Sequence, residues 1–552
     1  RGIMLGSGHA TRSAFLPLFL FLLILLGGCA TIPYDYPRTV SSAIYRPETT
    51  SIGKKIQAQE NKHQGNSGFY LVPTGVDAFA VRALLIDRAE KTLDLQYYIF
   101  SNDLIAKFLL NRLVAAAERG VRVRLLLDDW YQTEQMDWWL AAMELYPNIQ
   151  VRVFNPFVGH RANFLARLVK MAFGPKRLKG RMHNKAFIAD NSVAIVGGRN
   201  IAAEYFGQSE EVNFYDMDVL AVGPITREVS AIFDDYWNCV LAVPIKALMS
   251  RQPTADDLQR VRRELETYGE ALKKSTYGSK MQTSHLLKNL EAGQAPVVWA
   301  QAEALSDDPL KCINPDDPKR SEKMARRLKT ILEEARSEVL MVSPYFVPGK
   351  GGVRWLKSMR DRGVTLKVIT NSFVSNDVPV AQIGYMRYRK DLLQMGVELY
   401  ELKPTLVQLQ LDKERSQLAS SLFQFGSSLF QFGSSLMFGG SSGGALHAKA
   451  FVLDRQVVFV GSFNFDPRSV KLDTQDGLVI RSPQLAQQAA WLFTEGSSPA
   501  RAYRVTLLGN DDLVWVTEEK GQEVHYYQEP LSRFWRRFFV GCQGWFAPES
   551  ML

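Results

Sequence analysis

Two short stretches of the 552-residue sequence carry the same chemically useful residue types at the same offsets. The first reads His183-Asn184-Lys185, with Asp190 five residues past the lysine, then Gly197-Gly198-Arg199-Asn200. The second reads His447-Ala448-Lys449, with Asp454 again five past the lysine, then Gly461-Ser462-Phe463-Asn464. A lone His-x-Lys pair is an ordinary strand surface, whereas two copies with matching Asp, Gly and Asn offsets point to a site. Histidine titrates near neutral pH and can therefore act as nucleophile, acid or base. Two imidazoles, two ammonium groups and two carboxamides around one anionic centre suffice to attack a phosphodiester. One neutral ring attacks phosphorus and forms a covalent phosphoryl-histidine. The other, protonated, donates to the departing alcohol and then deprotonates the incoming one. Lys185, Lys449, Asn200, Asn464 and Ser462 would hold the non-bridging oxygens as charge redistributes. This chemistry calls for no cofactor and no metal.

For the two sets to act together, the surrounding elements must bring them to one cleft. Both motifs lead into apolar strands, Ala186-Phe187-Ile188-Ala189 and Ala450-Phe451-Val452-Leu453. Period-two alternation places each histidine and its lysine on one strand face. Upstream, a unit occurs twice. In the first half, Asp77 can cap a helix through Ala89, ahead of a strand at Leu93–Ile99. A helix through Ala115–Arg119 and a strand at Val121–Leu127 follow. In the second half, a helix near Met324–Ala335 precedes a strand at Glu338–Ser343, and a helix ending at Arg362 precedes Val364–Ile369. Gly120 and Gly363 fall just past a helix and before a strand, where a left-handed C-cap suits glycine. The alternation predicts an α/β fold of mostly parallel sheets covered by helices, duplicated as two lobes about a pseudo-twofold axis with the active site at their interface.

These residues resemble the two HKD motifs of the phospholipase D superfamily, in which both motifs build one active site. The flanking segments Asp94-Leu95-Gln96-Tyr97-Tyr98-Ile99, Arg119–Asp129, Phe154-Asn155-Pro156-Phe157 and Gly461–Ser469 resemble bacterial cardiolipin synthases, especially the type C subgroup. The resemblance implies phospholipase D-like α/β/α lobes, His183 as nucleophile and His447 as general acid/base, with the option of exchanged roles. It implies that Asp190 and Asp454 support the structure and do not attack. Family members often carry a Glu on a later strand against a catalytic histidine. Here the matching stretches read Tyr215-Asp216-Met217-Asp218 and Thr474-Gln475-Asp476, so Asp216 and Gln475 are the candidates for orienting the rings, and the departure leaves their assignment open.

Composition bounds the rest. An apolar fraction of 46% and a charged fraction of 22% are those of a globular chain, and the length allows two domains or one with two lobes. A net charge of +9 favours an anionic partner without choosing between lipid headgroups and nucleic acid. Arg12, the apolar run Ala14–Leu26 and Leu26-Gly27-Gly28-Cys29 resemble a lipoprotein signal, making Cys29 the expected lipid anchor. With Ala30 next, the expected destination is the periplasmic face of the outer membrane of a Gram-negative host. Cys239, Cys312 and Cys542 allow one disulfide but show no metal-site spacing, and His9, His63, His160, His285 and His525 show none either.

The expected organisation is a signal peptide over 1–29, a tether over 30–66, a first lobe over 67–250 and a helical connector over 251–295. A second lobe follows over 296–520, with a low-complexity insertion at 415–444, and an aromatic, basic tail over 521–552. Three segments are expected to touch lipid. Residues 161–181 contain seven basic residues and no acids. The Ser-Ser-Leu-Phe-Gln-Phe-Gly near-repeats of 420–440 and the tail with Trp535 and Arg536 are the others. Gly440-Ser441-Ser442-Gly443-Gly444 matches an esterase elbow but lacks the strand–helix setting. The favoured partners are anionic and zwitterionic membrane phospholipids at a membrane surface, with no nucleic acid. The favoured activity is phosphatidyl transfer forming cardiolipin from phosphatidylglycerol, with phosphatidylethanolamine as an alternative donor; hydrolysis to phosphatidic acid comes second and a nuclease third, for want of a basic track.

Overall fold

The computed structural model describes residues 36–532, apart from 158, 160, 162–166, 168–169, 172–173, 293–296, 377, 405–442 and 510. The first lobe contains β1 (Ser67–Val72), β2 (Thr92–Tyr97), β3 (Arg122–Asp128), β4 (Ile149–Phe154), β5 (Ala186–Ala189), β6 (Val193–Gly197), β7 (Val212–Tyr215), β8 (Asp218–Val222) and β9 (Ala242–Pro244). The second contains β10 (Val298–Ser306), β11 (Glu338–Val342), β12 (Thr365–Asn371), β13 (Glu398–Leu402), β14 (Gly443–Leu446), β15 (Ala450–Leu453), β16 (Val457–Gly461), β17 (Asp476–Arg481), β18 (Ala502–Leu507), β19 (Leu513–Glu519) and β20 (Gln522–Tyr526).

Pairing runs β9-β4-β3-β2-β5-β6-β8-β1 in the first lobe and β10-β17-β16-β15-β11-β12-β13-β18 in the second. Read from the middle outwards the two orders correspond strand for strand. An antiparallel β1–β10 contact joins them into one sheet across the pseudo-twofold axis. Only β2-β3-β4 and β11-β12-β13 are parallel within these orders. The expectation of mostly parallel sheets is corrected accordingly. Helical crossovers such as Leu104–Glu118 and Gly349–Asp361 enforce parallel pairing, but each motif strand folds straight back on its neighbour. The turns responsible hold Asp190 and Asn191 in one lobe and Asp454 and Arg455 in the other, all four at φ of 47–54°. Asp and Asn tolerate that left-handed region better than most residues.

Four boundaries also differ from the sequence reading. Thr74, not Asp77, caps the helix Gly75–Arg88: its hydroxyl accepts from the Asp77 amide and donates to the Asp77 carboxylate. Within the stretch expected as a tether, Thr50 caps a helix at Ser51–Glu60, and Arg38, Ser41 and Ala43 bond to the first lobe at Val240, Asn238 and Asp234. The connector is a layer of the first lobe. Its helices Ala255–Lys274, Thr276–Gln282 and His285–Glu291 bury Val261, Leu265, Leu272, Tyr277, Met281 and Leu286 against that lobe's core, their apolar positions lying on one face. The expected start of the tail, 521, falls in the β19–β20 hairpin, whose turn uses Lys520 and Gly521 at positive φ.

Candidate active site

Each motif histidine is fixed by the opposite lobe. The His183 amide donates to the Thr474 carbonyl at 2.9 Å, and the His447 amide to the Tyr215 carbonyl at 2.8 Å. The latter extends a parallel β7–β14 pair that crosses the interface. The next residue on each crossing strand reaches the ring. His183 Nδ1 lies 2.8 Å from Gln475 Oε1, and His447 Nδ1 lies 2.6 Å from Asp216 Oδ2. The two expected orienting residues are therefore both in place, and crossed between lobes.

The lysines lie inside the same cleft. Lys185 Nζ donates to the His183 carbonyl at 2.6 Å, and Lys449 Nζ lies 2.9 Å from both ring nitrogens of His447. Lys185, His447 and Lys449 are buried and His183 is partly buried, and the crowded cations disfavour protonation of the rings. Burial first, then Lys185 and Lys449, hold His183 well below the usual histidine range. Burial and Lys449 bring His447 down to about 4, although Asp216 works in the opposite direction. Burial and Lys449 likewise depress the Lys185 ammonium. Burial alone would raise Asp216, but His447, Lys449 and Arg199 overcome it and hold the carboxyl at about 2. Cations crowded from two lobes around one gap are what an anion would neutralise. His447 and Lys449 of the second lobe act electrostatically on His183, so the two motifs face each other.

The supporting shell explains the local sequence. Gly198 lets Asp216 approach: a Cβ there would sit 2.1 Å from Asp216 Oδ1. Arg199, buried, donates to the backbone carbonyls of Asp216, Val72, Pro73 and Tyr205. Arg181 pairs with Asp128, which also accepts from the Met182 amide and so fixes the approach to His183. Asp190 accepts from the amides of Glu90, Lys91 and Thr92, and Asp454 from those of Arg336, Ser337 and Glu338. Both aspartates lie at the far ends of the motif hairpins and latch the preceding helix–strand loop.

Two expected phosphate ligands are turned to other work. Asn200 accepts from the Ile99 amide and donates to the Tyr205 hydroxyl. Ser462 donates to Gln475 Oε1 at 2.8 Å and accepts from the Asp476 amide. Small side chains at these positions complete neighbouring loops, which spacing alone does not reveal. Asn464 differs: it is buried and its carboxamide oxygen has no partner among the described residues. The sequence reading missed Asp476, whose carboxylate accepts from the Lys185 amide and is raised to about 7 by burial despite Lys185. It also missed Ser469, which accepts from Gln475 Nε2, and Tyr98 and Tyr205, whose rings meet His183 and His447 edge-on. For Asp476, Ser469 and Tyr205 the available signal was nearness in sequence to Gln475, Asn464 and Asn200; Tyr98 lies far upstream of His183 and carried no such signal.

The basic stretch 161–181 is corrected in part. Arg161 pairs with Asp129 and Asp137, Arg167 donates to the Trp130 and Gln132 carbonyls, and Arg181 is buried against Asp128, so these charges face inward. Acidic residues on neighbouring loops, distant in sequence, claim them. Cys239 and Cys312 are buried and free, so no disulfide joins them. His63 stacks on Trp299 and His525 meets Glu523. Cys29, His9, His160, Cys542, the repeats of 420–440 and the tail beyond 532 lie outside the described residues. Among the described residues no helix is long and apolar enough to cross a membrane.

A duplicated α/β sheet with two HKD sites fused into one defines a phospholipase D-type enzyme. The family model described as "Cardiolipin synthase, PLD-like domain" matches residues 83–237 and 328–495, one segment in each lobe. The chain is 38% identical to cardiolipin synthase C of Escherichia coli (strain K12) over 480 residues, 87% of this chain and 95% of that protein. It is 23% identical to cardiolipin synthase B of Salmonella typhimurium (strain LT2) over 78% of this chain and 76% of that protein. The crystal structure of a phosphatidylserine synthase from Haemophilus influenzae Rd KW20 shares the fold, with a TM-score of 0.52 at 13% identity over 90% of this chain and all of that one. The chain belongs to the cardiolipin synthase, PLD-like family, and is an enzyme of the phosphatidyltransferase type.

Proposed function

We propose that the enzyme makes cardiolipin by moving the phosphatidyl group of one phosphatidylglycerol onto the glycerol hydroxyl of another, with phosphatidylethanolamine as an alternative donor. His183 attacks the donor phosphorus: a P–N bond forms and the P–O bond to the headgroup alcohol breaks, with His447 giving that oxygen a proton. His447 then takes the proton of the acceptor hydroxyl, the new P–O bond forms and the P–N bond breaks. One phosphodiester replaces another, so the exchange draws on no nucleotide.

The observation that carries this division of roles is the unequal pair of ring partners. Gln475 Oε1 receives the Ser462 hydroxyl while Gln475 Nε2 donates to Ser469, which fixes the amide with its oxygen towards His183. His183 Nδ1 must then carry the hydrogen, leaving Nε2 as a neutral lone pair for attack. His447 faces a carboxylate, which favours its protonated form and suits it to donate. Lys185 and Lys449 disfavour the protonated form of both rings, and a substrate anion between them would offset those cations and let His447 take up its proton.

Lipid products of the purified protein in mixed micelles of phosphatidylglycerol, with and without phosphatidylethanolamine, test the reading by mass spectrometry. Cardiolipin is expected, and loss of turnover in both His183→Ala and His447→Ala. Phosphatidic acid as sole product with acceptor abundant would make the enzyme a hydrolase. DNA cleavage without lipid turnover would make it a nuclease. We further propose attachment through a lipidated Cys29 to the periplasmic face of the outer membrane; retention of the protein in the membrane fraction, lost in Cys29→Ser, is the check.

A further inference from the structure

The two lobes differ where their helices cover the sheet. The latches at Asp190 and Asp454 fix the register between them, so that Glu90 matches Arg336. Counting back from these residues places Phe79 opposite Ala325. In the first lobe Phe79 packs on Phe108, Phe206 and Tyr277, the last from the helices that follow the lobe. The second lobe has alanine at that position, and a cleft of about 790 Å³ opens beside it. Its apolar wall includes Leu328, Trp355, Phe451, Phe463 and Phe465, with Trp355 and Phe346 both stacked on Phe465. Phe463 and Phe465 flank Asn464 in sequence, so the cleft and the catalytic site share the Ser462–Asp466 loop. Arg326, Lys329, Lys350 and Lys471 stand exposed along the edge, against Glu322 and the buried Asp466.

We propose that this cleft holds an acyl chain of the phospholipid substrate, an inference that rests on the lipid reading of the site. An apolar cavity of this size accommodates a ligand with little polarity of its own. Its inner end shares the Asn464 loop with the catalytic site, where the lipid's phosphorus would react, and its basic edge suits the anionic headgroups of the membrane surface from which the chain is drawn. In the first lobe the connector helices cover this face and Phe79 packs beneath them; among the described residues the second lobe has neither the helical layer nor the ring.

Two measurements on the full-length chain test the proposal. Ala325→Phe restores the first lobe's filling without touching the catalytic machinery. It should lower kcat/KM on dioleoyl phosphatidylglycerol by about tenfold, the loss of one well-buried chain segment. On dihexanoyl phosphatidylglycerol, whose chains are too short to fill the cleft, the change should stay within about twofold. Equal losses on both lipids, or none on the long-chain one, would overturn the assignment. Independently of that variant's folding, wild-type enzyme photolysed with phosphatidylglycerol carrying a chain-terminal diazirine should be labelled within 324–332 or 463–471. Label confined to other segments would overturn it. So would short-linker crosslinks from Lys350 or Lys471 to residues 533–552 or to a second copy of the chain, showing a protein occupant instead. Labelling reads chain position whichever product forms, so failure of cardiolipin synthesis and failure of the cleft assignment remain distinguishable.

Discussion

Replacing Asp216 by Asn isolates the charge that sets His447 apart from His183. Both groups are buried and 2.6 Å apart, and the replacement keeps size and an oxygen acceptor while removing the negative charge. A hydrogen bond to a charged group contributes about 1.5–3 kcal/mol, against about 1 kcal/mol for a neutral one. The difference, divided by about 1.4 kcal/mol per pH unit, lowers the working pKa of His447 by about one unit. His447 must be protonated to release the headgroup, so its contribution is present below its pKa and is lost as pH rises through it. In Asp216→Asn that loss begins about one pH unit lower, and above it the rate of phosphatidyl-histidine formation falls about tenfold. Single-turnover measurement of headgroup release across pH, with short-chain phosphatidylglycerol, reads the alkaline limb directly. An unchanged limb, or one displaced to higher pH, would refute the role given to the pair.

Four further outcomes follow from the same geometry. Gln475→Glu places a carboxylate at His183, raising the pH below which the attacking ring is protonated; the acid limb of the profile should move up by about one unit. Gly198→Ala forces a Cβ onto the Asp216 carboxylate; turnover should fall by about tenfold or more, more severely than for Gly509→Ala, where a Cβ meets nothing within 4 Å. Asp190→Ala strips three backbone amides of their acceptor. Urea unfolding should show a loss of about 3 kcal/mol or more, while turnover per folded molecule stays near wild type, because Asp190 does not meet the substrate. Asp454 is held below its usual range: burial raises it, but Ser337, Glu338 and Arg336 outweigh that. Its contribution to stability is therefore present above the unfolded carboxyl pKa and lost as pH falls through the folded one, and Asp454→Asn should flatten stability below about pH 4.

The chemistry was legible in the sequence because it depends on side-chain identity at short spacing. His183 and Lys185 share a strand face, as do His447 and Lys449, through the two-residue period of a strand, and the repeated offsets to Asp190 and Asp454 revealed the duplication. The upstream helices and strands were legible for the same local reason. Sheet polarity was not, since the direction of β5 against β6 depends on a turn through Asp190 and Asn191 and not on apolar periodicity. The destination of the connector helices was hidden too: a charged helix with one apolar face shows that it packs, without showing on which lobe.

Only the tertiary structure decided who serves whom. Gln475 orients His183 and Asp216 orients His447 because β7–β14 pairing and the Met182–Thr474 bridge carry each strand across the interface. Those partners lie more than two hundred residues apart, beyond the reach of any local pattern. The same holds for Arg161 and Arg181, whose charges read as a lipid-facing surface until distant aspartates drew them inward. Sequence determines which groups are available and which face of an element they occupy; the fold determines the dielectric and the neighbours, and with them which imidazole keeps its proton.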